Sequence, residues 1–519
     1  MKLGIFLGYG PRQLDPHQGI SRLITFIVKG ALKSPDTRIM IAGSGWIKDG
    51  INEILDDAGI PRSSVEIVTT RGEPLALKIY EGVRKLRLRP PTARRRRRLA
   101  LRAISKATEV VSDWLGTANP VVFVAGLAAF SLLAIVAAIP AAILLVLLGV
   151  FYAVRAAWRR FFRRYGHLIN RTYRALFKVV MAVEPTERIR ERELHRLVKL
   201  ANRQKDINVW YVPSMFWPEV AKLRGKVVMG APDIVFYEFP VQFGDESGRR
   251  ALKRISGSLA AADHLICYSE HVKQKHLVQM NGVSPERISV IRHGIVDMKA
   301  AEEYSRQDAL DVLHAYIEKS RRKLPDYLHR FRFDDVDFLF YSSQIRPYKN
   351  VEALARVYEK LLRERYRPLK LILTGNIHSN KRLQDFIRSQ GLERDILSLH
   401  SVPNSVLGAL YKLAALSVTP TQFEGGFPFT FSEAYSVGTP SVMSRIPVVT
   451  EMIDDPALLD RMTFLPHDQE DMLRKIVWGL DNRDELLRLQ GPLYEQLSER
   501  SWGTVASEYL DVIKAVASG

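Results

Sequence analysis

Residues 416–442 read LSVTPTQFEGGFPFTFSEAYSVGTPSV, and they carry the clearest fold signal in the chain. A short apolar run suited to a buried strand leads into a glycine turn, a helix-like run and a second apolar run after Gly-Thr-Pro. Glu424 and Glu433 bracket the turn. A strand, a helix and a strand in this order predict a unit of a parallel sheet, in which ligands bind at the carboxyl ends of the strands.

The same alternation extends over most of the chain. Seven strand-like runs, from LGIFLGY to ISVIRH, precede residue 300, and five more, from DFLFYSS to PSVMSR, follow residue 335. Helical patterns such as NVEALARVYEKLLRERY separate them. Two such series predict an α/β protein with two Rossmann-like, doubly wound domains that face a cleft. We place the N-terminal domain at 1–297, a helical linker at 298–335 and the C-terminal domain at 336–500.

The net charge of +20 comes from two local blocks. Residues 84–106 hold eleven Lys and Arg, residues 155–178 hold eight, and neither block contains an acid, so the rest of the chain is close to neutral. This distribution argues against a nucleic-acid-binding protein. An RNA-binding arm at 94–98 is an alternative, but no aromatic platform or helix-turn-helix pattern accompanies it. The single cysteine, Cys267, excludes an internal disulfide framework.

Between the two basic blocks, residues 118–154 form 37 consecutive uncharged positions. A run this long and apolar predicts a membrane segment, and Pro140 divides it in two. Because both flanks are basic, both belong on the cytoplasmic side. We therefore predict an insertion at 84–180 with a helical hairpin or re-entrant loop at about 114–154, anchored at the inner or plasma membrane and bound to anionic lipids. A buried oligomer interface is the alternative for the apolar run.

Side chains in the second series suit a ligand that carries both a diphosphate and hydroxyl groups. SSQIRPYKN follows a strand, so Arg346 and Lys349 can clamp a diphosphate at a strand end. The glycine turn lets backbone approach a ligand closely, and carboxylates beside it can accept hydrogen bonds from sugar or ribose hydroxyls. In the first series, GYGPRQLDPHQGISR lacks GxGxxG but places Gly19 at a helix start, with Arg22 one turn in, which suits an anion.

Taken in order, GISR, CYSEHVKQKHL, ISVIRHGI, SSQIRPYKN, LILTGN and TPTQFEGGFPFTFSEAYSVGTPSV resemble glycosyltransferase family 4. Members of that family are retaining enzymes of the GT-B fold that use nucleotide-sugar donors. The resemblance covers roughly 1–80 and 200–519, and leaves out the apolar insertion. RSWGTVASEYLDVI, within 501–519, resembles the family's last helix, which packs back on the N-terminal domain.

The resemblance implies a role for each matching residue. Arg346 and Lys349 would bind the donor diphosphate and stabilise the leaving charge, while Glu424 would contact the sugar hydroxyls and Glu433 the ribose. Gly19 would let the first-domain loop approach the donor phosphate. The remaining predicted substrate-binding residues are Arg22 and the turn residues Gly425, Gly426, Phe427, Pro428, Phe429 and Thr430.

Three positions depart from the family pattern. Eight residues instead of seven separate Glu424 and Glu433, Pro232-Asp233 replaces the usual His-Asp, and His293-Gly294 replaces Asn-Gly. These departures keep a second hypothesis open, a catalytically impaired homologue that binds glycan or nucleotide as a scaffold.

The insertion lies in the domain that binds acceptors in this fold, which predicts a lipid-linked or membrane-bound glycan acceptor. We predict no metal and no cofactor, because the nucleotide sugar is a substrate and the chain shows no Cys/His cluster. Asp335 and Asp337 imitate an Asp-x-Asp metal motif but precede a second-domain strand, so we assign them a surface or capping role. His17, His264 and His271 are interpreted as ordinary polar residues. A homo-oligomer is left open.

Overall fold

A computed structural model describes residues 2–11, 13–14, 19–33, 37–70, a few positions between 121 and 131, and 185–518 without 300–303, 322–323, 325 and 401. The chain divides into two compact units, Met1–Arg71 with Glu193–Gly519, and Gly72–Arg192. Apart from those few positions, the predicted hairpin at about 114–154 lies outside the described residues. Among the residues that are described, no helix is both long enough and apolar enough to cross a bilayer.

The first sheet has seven strands in the order β3-β2-β1-β4-β5-β6-β7, and every neighbouring pair is parallel. The order reverses between β1 and β4, which is where a doubly wound sheet opens a ligand crevice. We call this sheet and its helices the first domain. Its strands are β1 Lys2–Leu7, β2 Arg38–Gly43, β3 Glu66–Thr69, β4 Val209–Val212, β5 Lys226–Gly230, β6 His264–Cys267 and β7 Ile288–Val290.

Helices cover both faces of the first sheet, so its strands are apolar on both sides. In β1, for example, every residue after Lys2 is buried. A π-helical segment, Val272–Gln279, follows β6. The α-helices assigned in this part of the chain are α1 Gly19–Leu32, α2 Lys48–Asp57, α3 Pro185–Ala201, α4 Val235–Glu238 and α5 Glu246–Ala261.

The second sheet has six parallel strands in the order β10-β9-β8-β11-β12-β13, with its reversal between β8 and β11. We call it, with its helices, the second domain. Its strands are β8 Phe338–Tyr341, β9 Lys370–Leu373, β10 Ile396–Ser398, β11 Leu416–Thr419, β12 Ser441–Ser444 and β13 Thr463–Phe464. The helices from residue 304 onward are α6 Arg306–Ser320, α7 Val351–Arg363, α8 Lys381–Ser389, α9 Asn404–Leu413, α10 Phe429–Ser436, α11 Pro447–Thr450, α12 Pro456–Met462, α13 Gln469–Asp481, α14 Arg483–Ser498 and α15 Trp502–Ser518.

The two doubly wound parallel sheets confirm the predicted fold class, and every strand-like run of the sequence lies on a strand. The sequence prediction missed β13, because two residues at the edge of a sheet give no periodic signal. The stretch 416–442 forms β11, the turn, α10 and the start of β12, and Gly438 ends α10 with a φ of 81°, a left-handed conformation that suits glycine.

The last helix, α15, packs on the first domain. Trp502 on α15 stacks on Phe26 of α1 with ring centroids 4.6 Å apart, and its indole N–H donates to the Ile295 carbonyl at 2.7 Å. Close packing of α15 on α1 depends on Gly30, whose Cβ, if present, would lie 2.8 Å from the Cβ of Ala506. The end of the chain is therefore fixed to the first domain.

Candidate functional site

A cavity of about 330 Å³ lies between the carboxyl ends of the two sheets. Both domains contribute polar groups to it, as expected for a binding site in paired α/β domains. We call it the interdomain cavity. Of the first-domain residues that the structure describes, those lining it are Asp233, Tyr268 and His293. The second-domain residues lining it are Tyr341, Ser342, Ser343, Lys349, Thr419, Glu433 and the continuous run 424–430.

An ion pair between Lys349 and Glu424 forms the charged centre of the cavity. Lys349 ends the turn that follows β8, and its ammonium donates a hydrogen bond to Glu424 Oε1. The side chains are 17% and 24% exposed, so solvent screens the pair less than a surface pair. An ammonium carries three protons, so Lys349 can bind a phosphate oxygen while it remains in contact with Glu424.

Arg346 lies outside this centre. Its side chain is exposed, and it donates hydrogen bonds at 2.8 Å to the hydroxyl of Tyr348 and to the side-chain carbonyl of Gln344. The Tyr348 ring stacks on Phe239 of the first domain with centroids 5.8 Å apart. Arg346 is not among the residues that line the cavity, so it has to exchange these partners to reach a diphosphate beside Lys349.

The predicted first-domain anion site is described in part. Gly19 is the first residue of α1, as the sequence predicted for the loop after β1. The side chain of Arg22 lies outside the described residues.

The glycine turn packs directly against the first domain. A Cβ on Gly425 would lie 2.3 Å from the Pro232 carbonyl oxygen, and one on Gly426 would lie 2.9 Å from His293 Cδ2. Ser269 donates a hydrogen bond to the Gly425 carbonyl at 2.9 Å. The sequence suggested that these glycines let backbone approach a ligand, whereas the structure shows that they also let the two domains approach each other.

Helix α10 begins at the cavity, and Glu433 is on its second turn. Pro428 precedes the helix, and Phe427 to Thr430 line the cavity, so the N-terminus of α10 faces the cavity. Glu433 is 8% exposed, and its carboxylate accepts a hydrogen bond from the Tyr411 hydroxyl at 2.8 Å. Although eight residues separate Glu424 from Glu433, both carboxylates line the same cavity.

The first-domain wall contains two titratable groups that the sequence reasoning noted as departures but did not place in the site. The His293 ring packs against Tyr268 and Phe429, with centroids 4.0 and 4.7 Å away. Burial, and then the charge of Arg500, lower the pKa of His293 to about 4, so its imidazole is neutral at pH 7. The pKa of Asp233 is raised, first by burial and then by the negative charge of Glu424. The available signal was that Asp233, Tyr268 and His293 each come shortly after a predicted strand.

Glu238, His271 and His276 bring three potential metal ligands together. His276 Nε2 lies 2.9 Å and His271 Nε2 lies 3.4 Å from Glu238 Oε1. However, the Ile234 N–H donates to His276 Nδ1 at 3.1 Å. A metal on Nε2 would require a proton on Nδ1, where it would face this N–H donor. The donor set therefore does not fit a metal ion, and the histidines instead lower the pKa of Glu238 by hydrogen bonding to it.

A second-domain carboxylate, that of Glu451, also binds the first domain outside the cavity. Glu451, directly after α11, accepts hydrogen bonds from the backbone N–H groups of Glu270 at 3.0 Å and His271 at 3.2 Å. Arg292 pairs with the same carboxylate at 3.1 Å. These contacts, which we call the Glu451 latch, hold the segment that leads into the π-helix, and sequence reasoning did not identify them.

Residues 329–500 match the family described as Glycosyl transferases group 1. Over 267 residues the chain is 25% identical to the serotype-specific mannosyltransferase WbdA of Escherichia coli, a match that covers 51% of this chain and 30% of WbdA. It is 26% identical over 206 residues to the O-antigen chain mannosyltransferase B of Escherichia coli, covering 38% of this chain and 51% of that protein. The chain thus spans about half or less of the length of these relatives.

Among solved structures, Anabaena Alr3699/HepE in complex with UDP-glucose superposes with a TM-score of 0.56 at 12% identity and covers 99% of this chain and 100% of its own. At that identity the likeness establishes the fold, which is that of GT-B glycosyltransferases. The sequence matches are to glycosyltransferases, over 329–500 for the family and over 267 residues for WbdA.

Proposed function

We propose that this protein is a membrane-associated, retaining glycosyltransferase that moves a sugar from a nucleotide-sugar donor to a lipid-linked or membrane-bound glycan, without a metal ion. The observation that carries the proposal is the interdomain cavity, where Lys349, Glu424, Glu433 and the N-terminus of α10 meet. An ammonium and a helix N-terminus suit a diphosphate, and the two carboxylates suit sugar and ribose hydroxyls.

Electrostatic stabilisation of the departing nucleoside diphosphate is the main catalytic effect in this proposal. Lys349 meets the charge that develops on the diphosphate, and Arg346 adds a second cation once it turns from Tyr348. These cations take the place that a divalent metal occupies in other phosphate-transfer sites. Glu433 binds the ribose and Glu424 the sugar, so the anomeric carbon is fixed relative to the acceptor.

Retention follows if the acceptor attacks from the face that the diphosphate leaves. The acceptor hydroxyl then lies beside the donor phosphate, which can take its proton as the new glycosidic bond forms. No protein nucleophile is required in this scheme, in contrast to the paired-carboxylate glycosidases.

A nucleotide-sugar donor is supported by the bound UDP-glucose of the Anabaena structure and by the mannosyltransferase names of the sequence relatives. The membrane-bound acceptor is supported by the sequence, where 37 uncharged residues at 118–154 lie between two basic blocks. In this proposal the insertion anchors the protein at the cytoplasmic face of the inner or plasma membrane and holds the first domain near its acceptor.

The donor part is tested with the full-length protein in detergent, by measuring binding and turnover of UDP-, GDP-, ADP- and dTDP-sugars with and without EDTA. We expect saturable, EDTA-insensitive turnover of one donor and its loss in Lys349→Ala. Tight nucleotide binding with no turnover, even with membrane lipid extract as acceptor, would favour the scaffold hypothesis that Pro232 motivates. No binding of any donor would contradict the site assignment.

The membrane part is tested by co-sedimentation with two kinds of vesicle, anionic ones of phosphatidylglycerol and neutral ones of phosphatidylcholine. We expect binding to the anionic vesicles, and weaker, more salt-sensitive binding when the five arginines at 94–98 are replaced by glutamine. Equal binding of both proteins to both kinds of vesicle would contradict a role for this basic block.

A further inference from the structure

Asp233 is a polar side chain that the first domain directs at the interdomain cavity, and neither the family resemblance nor the comparisons give it a role. It lies in the loop between β5 and α4, and it lines the cavity opposite the glycine turn. A Cβ on Gly425 would lie 2.9 Å from the Cβ of Asp233, so the two domains are in direct contact here. The neighbouring Pro232 offers no side-chain donor or acceptor.

The loop that carries Asp233 is held from behind. The N–H of the next residue, Ile234, donates to Nδ1 of the fully buried His276 at 3.1 Å. With that nitrogen acting as acceptor, the proton of His276 is on Nε2, which lies 2.9 Å from Glu238 Oε1 and donates to it. Because Ile234 precedes α4 and Glu238 ends it, these hydrogen bonds fix α4 and the end of the loop that leads into it to His276, and so preorganise Asp233.

The charges around Asp233 restrict what it can bind. Burial raises the pKa of Asp233 most and the charge of Glu424 raises it further, whereas the ammonium of Lys349 and a hydrogen bond from the Val235 backbone N–H lower it. Lys349 donates its hydrogen bond to Glu424. One ammonium therefore faces two carboxyl groups, one from each domain, and a further anion beside Asp233 would meet net negative potential.

Building on the proposed function, we propose that Asp233 binds hydroxyl groups of the transferred sugar and, with Glu424, selects a neutral hexose over a hexuronic acid. Carboxyl oxygens accept hydrogen bonds from hydroxyls, so carboxyls on opposite walls can hold two sides of one hexose ring. A hexuronate would place a third carboxylate between them, and juxtaposed like charges repel each other. The diphosphate is placed on the Lys349 side, away from Asp233.

The experiment compares two donor pairs on the full-length protein in detergent, UDP-glucose with UDP-glucuronate and GDP-mannose with GDP-mannuronate. Turnover is measured for wild type, for the isosteric Asp233→Asn and for Glu246→Gln, which removes an exposed carboxylate on α5 outside the cavity. Titration calorimetry gives the affinity of each protein for free UDP and GDP, and Asp233→Ser is included should the asparagine variant unfold.

We expect wild type to prefer the neutral sugar by about 100-fold or more in the pair whose nucleotide it binds. Asp233→Asn should lower kcat/KM for that sugar by about 10- to 100-fold, because the amide no longer offers two acceptor oxygens to the sugar hydroxyls. It should also reduce the preference for the neutral sugar at least about tenfold. Affinity for the free nucleoside diphosphate should stay within about twofold, and Glu246→Gln should behave as wild type.

An unchanged preference and unchanged kcat/KM in folded Asp233→Asn and Asp233→Ser would overturn the inference. A wild-type preference for the hexuronate would also overturn it. With either result, intact binding of UDP or GDP would leave the proposed function standing. If the wild type binds none of UDP, GDP, ADP and dTDP, the proposed function fails as well.

Discussion

The two walls of the interdomain cavity are built in opposite ways. Most of the second-domain wall comes from one stretch, since nine of its thirteen lining residues lie between Thr419 and Glu433, and the other four lie at the end of β8 and in the turn after it. The first-domain wall takes Asp233, Tyr268 and His293 from three separate loops, after β5, β6 and β7. A contiguous wall keeps its geometry through local structure, whereas a dispersed wall depends on how the sheet and the opposite domain hold each loop.

This difference teaches where binding energy and where specificity can come from. The second-domain wall holds the ammonium, the helix N-terminus and two carboxylates, groups that suit the diphosphate and ribose shared by many donors. The first-domain wall supplies a carboxyl group and a neutral imidazole that approach from the other side. Four changes to the chain test this division, from the largest expected effect to the smallest.

Lys349→Ala tests the second-domain wall. We expect kcat for donor turnover to fall about 10²- to 10³-fold, because a preorganised charge facing the leaving group is lost and Glu424 keeps an unpaired carboxylate. Turnover is measured at saturating donor. Lys360→Ala removes a lysine that pairs with Glu470 outside the cavity, and should retain wild-type kcat. Equal losses in both variants would show that the effect is not catalytic.

His293 tests the first-domain wall through pH. Its pKa is about 4 in the folded protein against 6.5 for a free imidazole, so below pH 6.5 the unfolded chain binds the proton more tightly. The stability present above pH 6.5 should therefore be lost as the pH falls toward 4, by about 2 to 3 kcal/mol. Urea unfolding from pH 7 to 4.5 measures it.

The matched variant for this measurement is His293→Asn, which restores the Asn-Gly pair of the resembled family and removes the titrating ring. Its free energy of unfolding should depend less steeply on pH over the same interval. Identical pH profiles for the two proteins would show that His293 is not buried as a neutral ring.

Gly425→Ala tests the contact between the walls. The added Cβ would lie 2.3 Å from the Pro232 carbonyl, so the domains must separate or the turn must shift. Overpacking of this kind costs about 2 kcal/mol, which corresponds to about a thirtyfold lower kcat/KM. Gly503→Ala, whose Cβ would make an ordinary 3.4 Å contact with Ser501, is the control and should remain close to wild type.

Glu451→Gln tests the latch beyond the cavity. The amide keeps the side chain's shape but loses the charge that pairs with Arg292. Glu270 and His271 donate to different carboxylate oxygens, so in the amide one of these N–H groups loses its acceptor. Weakening a charged hydrogen bond costs about 1 kcal/mol, so KM for the donor should rise about fivefold while kcat changes less. A change in kcat alone would contradict the idea that the Glu451 latch acts on donor binding by holding the two domains together.

The fold and the second-domain wall followed from the sequence because their signals are local. Apolar runs of strand length alternate with helical patterns, and Glu424, the glycines and Glu433 occupy one continuous stretch that must fold as strand, turn and helix. The position of the Arg346 side chain could not be predicted from the sequence. The spacing places it near Lys349, but its rotamer is set by Tyr348 and Gln344, and its side chain lies outside the cavity lining.

By itself, the sequence determined two parallel α/β domains, the basic-flanked apolar insertion and the glycine turn between two carboxylates. The tertiary structure decided which first-domain groups face that turn. Ser269 bonds to Gly425 across 156 positions and Glu270 to Glu451 across 181, separations at which no periodicity or motif records a contact. Asp233 and His293 acquire their surroundings in the same way, because burial and a neighbouring charge are properties of the packed domains and not of the residues beside them in the chain.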